Sequence, residues 1–188
     1  LQLADIPLID TAALAILGND DFLLRLMRAK APQAQINDYV AWTLHSTKAL
    51  GLKVINAGGA NAFKANAREF ALDDVVPDYG VSSRHILQTL QRAACELNVP
   101  PPVHVHCNNL GIPGNVTTAL ATMEAAQGLP MHLAHIQFYA YGNEGAKGFS
   151  SATAQLLKCF KRHPNVTMDV GQVLFGQTVT ISGDVIAQ

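Results

Sequence analysis

Four short apolar runs, separated by segments of helical periodicity, constrain this chain more than any other feature. The runs cover residues 52–55, 103–107, 131–138 and 166–173. Between the first two, Ile86, Leu87, Leu90, Ala94 and Leu97 recur at the spacing of one helix face, with Ser82 or Ser83 as the cap. Val116, Ala119, Leu120 and Met123 repeat the pattern from about Asn115 to near Gly128. Leu156, Leu157 and Phe160 repeat it after Ser150 or Ser151, until His163-Pro164-Asn165 breaks the helix. An earlier helix is predicted with Asn37 as its cap, Val40, Ala41, Leu44 and Leu50 on its apolar side and Gly51 as its stop. Pro100-Pro101-Pro102 forces an extended entry into Val103. Strands alternating with helices in this way predict parallel βαβ units, closed as a barrel or opened as a doubly wound sheet.

No G-x-G-x-x-G follows any of the runs, which argues against the dinucleotide-binding form of the open sheet. A complete eight-unit barrel takes about 250 residues, so four strands in 188 residues predict a partial (β/α)8 TIM-type barrel over residues 37–188. Residues 1–36 do not follow the repeat and are expected to be an insertion or crossover segment. The chain opens on Leu1-Gln2-Leu3 rather than on Met, and is expected to be an internal piece of a longer protein.

Composition removes several function classes. The formal net charge is -1 and only 14% of residues are charged, with no basic stripe, so there is no footprint for nucleic acid or for an anionic membrane surface. No apolar stretch approaches the ~18 residues of a spanning helix. Cys95, Cys107 and Cys159 are scattered and lack zinc-ribbon or redox spacing, so they are expected to be reduced packing residues of a cytoplasmic protein.

In a barrel, reactive groups gather at the C-terminal strand ends. His104 and His106 share one strand face by the two-residue period, with Asn108 and Asn109 just beyond. The next run closes with His135 and Gln137 on one face and His132 on the other. A lone histidine is more often a hydrogen-bonded core residue than a ligand, but two successive strands that both present an imidazole can converge on one divalent ion. Asp169, inside the fourth run with Gln172 near its end, reads as a supporting carboxylate rather than a ligand. Lys53, taken by spacing alone, would extend its head to solvent.

The blocks Lys53-Val54-Ile55-Asn56-Ala57-Gly58-Gly59, His104 to Gly111, Ala134 to Phe138 with Tyr141-Gly142, Asn165 to Gln172 and Phe175 to Thr178 resemble the A subunit of formylmethanofuran dehydrogenase and of the related bacterial formyltransferase/hydrolase complex. The resemblance extends over nearly the whole chain. It implies an amidohydrolase barrel, here about strands 4 to 7, with two zinc ions bridged by an N-carboxylated lysine. It matches Lys53, with Lys64 as the alternative, to the bridging lysine of the fourth strand, and His106 and His135 to the ligands of the fifth and sixth. The first-strand H-x-H and the eighth-strand aspartate, the expected proton-transfer group, would lie outside these residues. His104, Asn108, Asn109 and Gln137 would support ligands or the substrate. The implied activity is hydrolysis of the formyl amide of formylmethanofuran, or its condensation in the archaeal case. The implied partners are a formyltransferase with its companion subunits, or a tungsten or molybdenum formate dehydrogenase. Two rivals remain: a metal-free scaffold subunit of the same complex, and a cyclic-amide hydrolase of the hydantoinase or dihydroorotase type.

Overall fold

The computed structural model describes residues 10–145, 148 and 150–171. Its five strands are β1 (Leu14–Ile16), β2 (Gly51–Ile55), β3 (Val103–His106), β4 (Met131–Leu133) and β5 (Val166–Met168). They form one sheet in sequence order, and every neighbouring pair is parallel. The helices are α1 (Asp21–Arg28), α2 (Gln33–Thr47), α3 (Gly59–Lys64), α4 (Ser83–Glu96), α5 (Val116–Ala125) and α6 (Thr153–Phe160). A 3₁₀ turn, Ile136–Tyr139, follows β4.

The two faces of the sheet differ sharply. Leu52, Val54, Val103, Val105, Met131 and Leu133 alternate along the strands onto one face and are all at most 1% exposed. Against them lie the apolar stripes of the helices: Ile36 and Val40 of α2, Ile86, Leu87 and Leu90 of α4, Ala119 and Met123 of α5, and Leu156 of α6. The opposite face carries Ile16, Lys53, His104, His132 and Thr167, which are register partners in one row across all five strands. Right-handed crossovers between parallel strands in unbroken order put every helix on one side, whereas a doubly wound sheet reverses its order and covers both faces. The α/β architecture is thus consistent with a partial barrel whose inner face bears the polar row. Leu90 lies at the centre of the helix–sheet layer and is fully buried. Leu90→Ala is expected to destabilise the protein by about 2–5 kcal/mol through lost burial and an incompletely filled cavity, measurable as a shift of the urea unfolding midpoint.

The structure departs from the sequence reading at several element boundaries, and Ser150 and Ser151 do not cap α6, whose N-cap is Ala152. Residues 14–28, expected to lie in an insertion or crossover segment, supply β1 and α1, and β1 pairs with β2. With three residues, β1 is too short to show an alternating pattern. Helix α2 starts at Gln33 behind Pro32, not at Asn37, whose side chain is used by Gln33 and Glu96. Gly51 does not end that helix. Lys48, in the left-handed conformation, does so, and Gly51 opens β2, where a Cβ would lie 2.5 Å from Cγ of Pro101. The strands predicted as 131–138 and 166–173 stop at Leu133 and Met168. Ser82 caps α4 as expected, accepting from the His85 amide. Asn115 does precede α5, but its amide binds the carbonyls of Asn109 and Phe138 instead of capping the helix. Gln172 and residues 175–178 lie outside the described residues.

Candidate metal centre

The C-terminal ends of β2 to β5 bring most of the candidate site residues to one edge of the open face. Lys53 is the third of five residues in β2 and pairs in register with His104, so both side chains leave the same face. Lys64 is exposed at the end of α3, off the sheet. His106 is the last residue of β3, one step further towards the edge on the same face as His104.

His135 reaches this site by a route that alternation along a strand does not describe. It follows β4 by two residues, in the left-handed conformation with φ 37° and ψ 52°, and starts the 3₁₀ turn. The two-residue period ends at Leu133, so His132 and His135 do not sit on opposite faces as the sequence suggests. His132 lies in the polar row with its ring 5.1 Å from that of His104, and His135 meets His106 edge-on with ring centroids 4.2 Å apart. Nε2 of His135 and Nδ1 of His106 are 2.7 Å apart. Behind His135 the rings of Phe138 and Tyr139 each lie 5.6 Å away and form an apolar wall.

The electrostatics favour neutral imidazoles at His104 and His106. Burial, then the proximity of His135 and Lys53, pulls the His106 pKa down from its ordinary value to about 4. Burial and the Lys53 charge also lower that of His104. A neutral imidazole keeps a lone pair for a metal ion or a hydrogen bond. Two ring nitrogens 2.7 Å apart can share one proton or both turn lone pairs to a common centre. Nδ1 of both His104 and His135 is buried without a hydrogen-bond partner. Cys107 is buried, with its thiol pushed up to about 12, so it packs and does not act as a nucleophile. Cys159 is also buried, but Cys95 is exposed, contrary to the expected packing role.

Sequence reasoning missed a second set of groups. His104, His132 and Asp169 each offer a ligand atom within 4.8 Å of one another. Asp169 stands just past β5, exposed rather than inside a buried run, and its Oδ2 lies 2.9 Å from Nε2 of His132. That contact comes first among the causes that hold its carboxyl below the ordinary aspartate value. Nδ1 of His132 lies 2.9 Å from Oγ1 of Thr167. Both His132 nitrogens therefore already have protein partners, whereas Nδ1 of His104 and Nδ1 of His135 have none. The pairing of His132 with Thr167 depends on register between strands 35 residues apart, which the sequence does not display.

The amides expected to orient a ligand have other duties. Asn108 is buried and donates to the Phe70 carbonyl and, at 2.8 Å, to Oγ of Ser83. Asn109 accepts from the Phe70 amide and donates to Thr118. Both fasten the loop before α4 to the end of β3. Gln137 exchanges two hydrogen bonds with the backbone of Gly171.

A parallel sheet with imidazoles and a lysine towards its carboxyl edge defines an α/β protein with a candidate metal centre, and similarity to known proteins narrows what it is related to. Over 193 residues the chain is 51% identical to the A component of the Fhc formyltransferase/hydrolase complex of Methylorubrum extorquens, matching 100% of this chain and 35% of that protein. It is 31% identical over 194 residues to Protein FwdA of Methanocaldococcus jannaschii, matching 97% of this chain and 34% of that protein. The crystal structure of the formyltransferase/hydrolase complex FhcABCD from M. extorquens with methylofuran superposes with a TM-score of 0.91 at 52% identity, over 100% of this chain and 35% of that one. No protein-family model matches. The chain is thus a relative, along its whole length, of the A subunit of formyltransferase/hydrolase complexes, and spans about a third of the length of the relatives it matches.

Proposed function

We propose that this chain supplies part of the metal-binding mouth of a barrel amidohydrolase, the A subunit of a formyltransferase/hydrolase complex, which cleaves the formyl amide of formylmethanofuran to formate. The observation that carries this reading is the 2.7 Å approach of the His106 and His135 ring nitrogens on the face that also holds Lys53. Neutral imidazole is the zinc ligand used in such sites, and Nδ1 of half-buried His135 has no hydrogen-bond partner, which keeps a nitrogen of this ring available. Lys53, rather than Lys64, is the residue suited to bridge two zinc ions as an N-carboxylated side chain, because only Lys53 lies in the row of the histidines.

Bound at this site, a zinc pair supplies a nucleophile at neutral pH and an electrostatic pull on the formyl carbonyl. The chain's own residues hold the site in place. His106 presents a lone pair from the end of β3 and His135 from the turn just after β4, Phe138 and Tyr139 keep water from the back of His135, and Asn108 and Asn109 brace the loop above β3. The remaining ligands and the proton-transfer aspartate belong, in this reading, to other strands of the barrel. The proposed partners are the formyltransferase and companion subunits of a cytoplasmic complex. Among the described residues no helix is long and apolar enough to cross a membrane.

The test uses the full-length protein in its complex. Formate release from formylmethanofuran is expected to stop when metal is removed by a chelator and to return with zinc, while hydantoin and dihydroorotate are left intact. Undiminished formate release from metal-free protein, or turnover of the cyclic amides alone, would overturn the reading.

A further inference from the structure

The segment after β5 is fastened to the segment after β4 far more closely than neighbouring strands require. Asp169 bonds to it through both backbone and side chain. Its backbone N–H donates to the Leu133 carbonyl (3.0 Å) and its carbonyl accepts from the Ile136 N–H (3.0 Å). Its Oδ1 accepts from the His135 N–H (2.6 Å), and its Oδ2 faces Nε2 of His132 (2.9 Å). Two residues on, Gly171 and Gln137 exchange hydrogen bonds of 2.9 and 3.0 Å. The two segments lie so close that a Cβ on Gly171 would stand 2.8 Å from Cβ of His135 and 3.0 Å from Nε2 of Gln137. One of these bonds holds the His135 N–H and the others flank it on both sides, and its φ of 37° is one that a non-glycine residue holds only when its surroundings fix it.

We propose that Asp169 is a positioning residue for His135: its carboxylate captures the His135 backbone amide, holds the left-handed turn after β4, and so points the imidazole at His106. Thr167 completes the clamp. With its hydroxyl donating to Nδ1 of His132, the Nε2–H of His132 is left to donate to Asp169, which fixes the carboxylate plane. Without the clamp, residues 134–136 relax towards ordinary strand or helix angles and the His135 ring leaves its place. The link to metal binding rests on the functional reading above, whereas the clamp rests on the hydrogen bonds alone.

Three variants of the full-length protein in its complex separate these claims, using amide hydrogen exchange over residues 133–137 and zinc affinity against a chelator. Asp169→Ala is expected to expose the His135 amide to exchange and to weaken zinc binding about 10- to 100-fold, as loss of a supporting partner does. Asp169→Asn keeps an oxygen that accepts from the His135 N–H, and His132 can change tautomer to receive the new amide. It is therefore expected to restore the slow exchange and most of the zinc affinity. Gly171→Ala leaves every ligand and the carboxylate intact but forces the segments apart, so it is expected to reproduce both effects of Asp169→Ala, including where that variant folds poorly. Unchanged exchange in Asp169→Ala and Gly171→Ala would overturn the clamp. Loss of zinc by Asp169→Asn equal to that by Asp169→Ala, with slow exchange retained, would overturn the positioning role and make Asp169 itself a ligand. A parent complex that binds no zinc would overturn the metal reading, and the exchange data would still decide the clamp.

Discussion

His106→Ala and His135→Ala, each made in the full-length protein, are expected to lose zinc and formate release together, with activity falling at least about 100-fold as when a group that stabilises transition-state charge is removed. The two rings supply the nitrogens that approach to 2.7 Å, and His106 is held neutral because burial and its neighbours pull its pKa to about 4. Neither residue supports the fold in a way that would mimic this loss. His106 closes β3 on the uncovered face and His135 stands two residues past β4 with its ring against that of His106, outside the layer formed by Leu52, Val54, Val105 and Leu133. Elemental analysis of each variant beside its unfolding midpoint checks the point: zinc should fall while the midpoint in chelator stays near that of the parent in chelator. Full zinc retention in both variants would remove these histidines from the ligand set.

What is legible in the sequence follows the range of the physics involved. The period-two pattern of Val103, Val105 and the alternating His104 and His106 is set by neighbouring residues, and the structure reproduces it. The same holds for the helix starting beside Ser82, where a local side-chain bond makes the boundary. Sequence pattern misleads where a residue answers to something distant. His135 has the composition of a strand residue, yet it adopts a left-handed turn bound by Asp169, 34 positions later. Gly51 looks like a helix stop because glycine often is one, but its missing side chain makes room for Pro101. Asp169 reads as part of a buried run because apolar residues flank it, although the strand ends one residue earlier and its carboxylate is exposed. Lys53 shows the opposite case. Spacing alone assigns it to solvent, and only the resemblance connects it with the histidines; the register of β2 with β3 then places it beside His104.

Lys53→Ala is expected to lower formate release by at least about 100-fold and, unlike the histidine variants, to regain part of it when short carboxylic acids such as formate or acetate are supplied. The expectation follows from charge. Two zinc ions a few ångströms apart repel, and a lysine ammonium between them would add to that repulsion. Carboxylation replaces the cation with an anion: the neutral amine attacks carbon dioxide, the nitrogen–carbon bond forms, and a proton leaves to solvent. Lys53 stands in the polar row beside His104, with His106 one step further along the same face, and its positive charge already lowers the pKa of both rings. Reversing that charge would favour cations on the same face. Removing the side chain leaves a gap that a small carboxylate can enter, which accounts for rescue by acids and not by amines. Labelled carbon dioxide should yield a carbamate carbon resonance in the parent complex that is absent from Lys53→Ala. An unmodified ammonium in clear density with both metals in place would contradict the carbamate, and rescue by methylamine instead of acetate would show that the site needs a cation at this position.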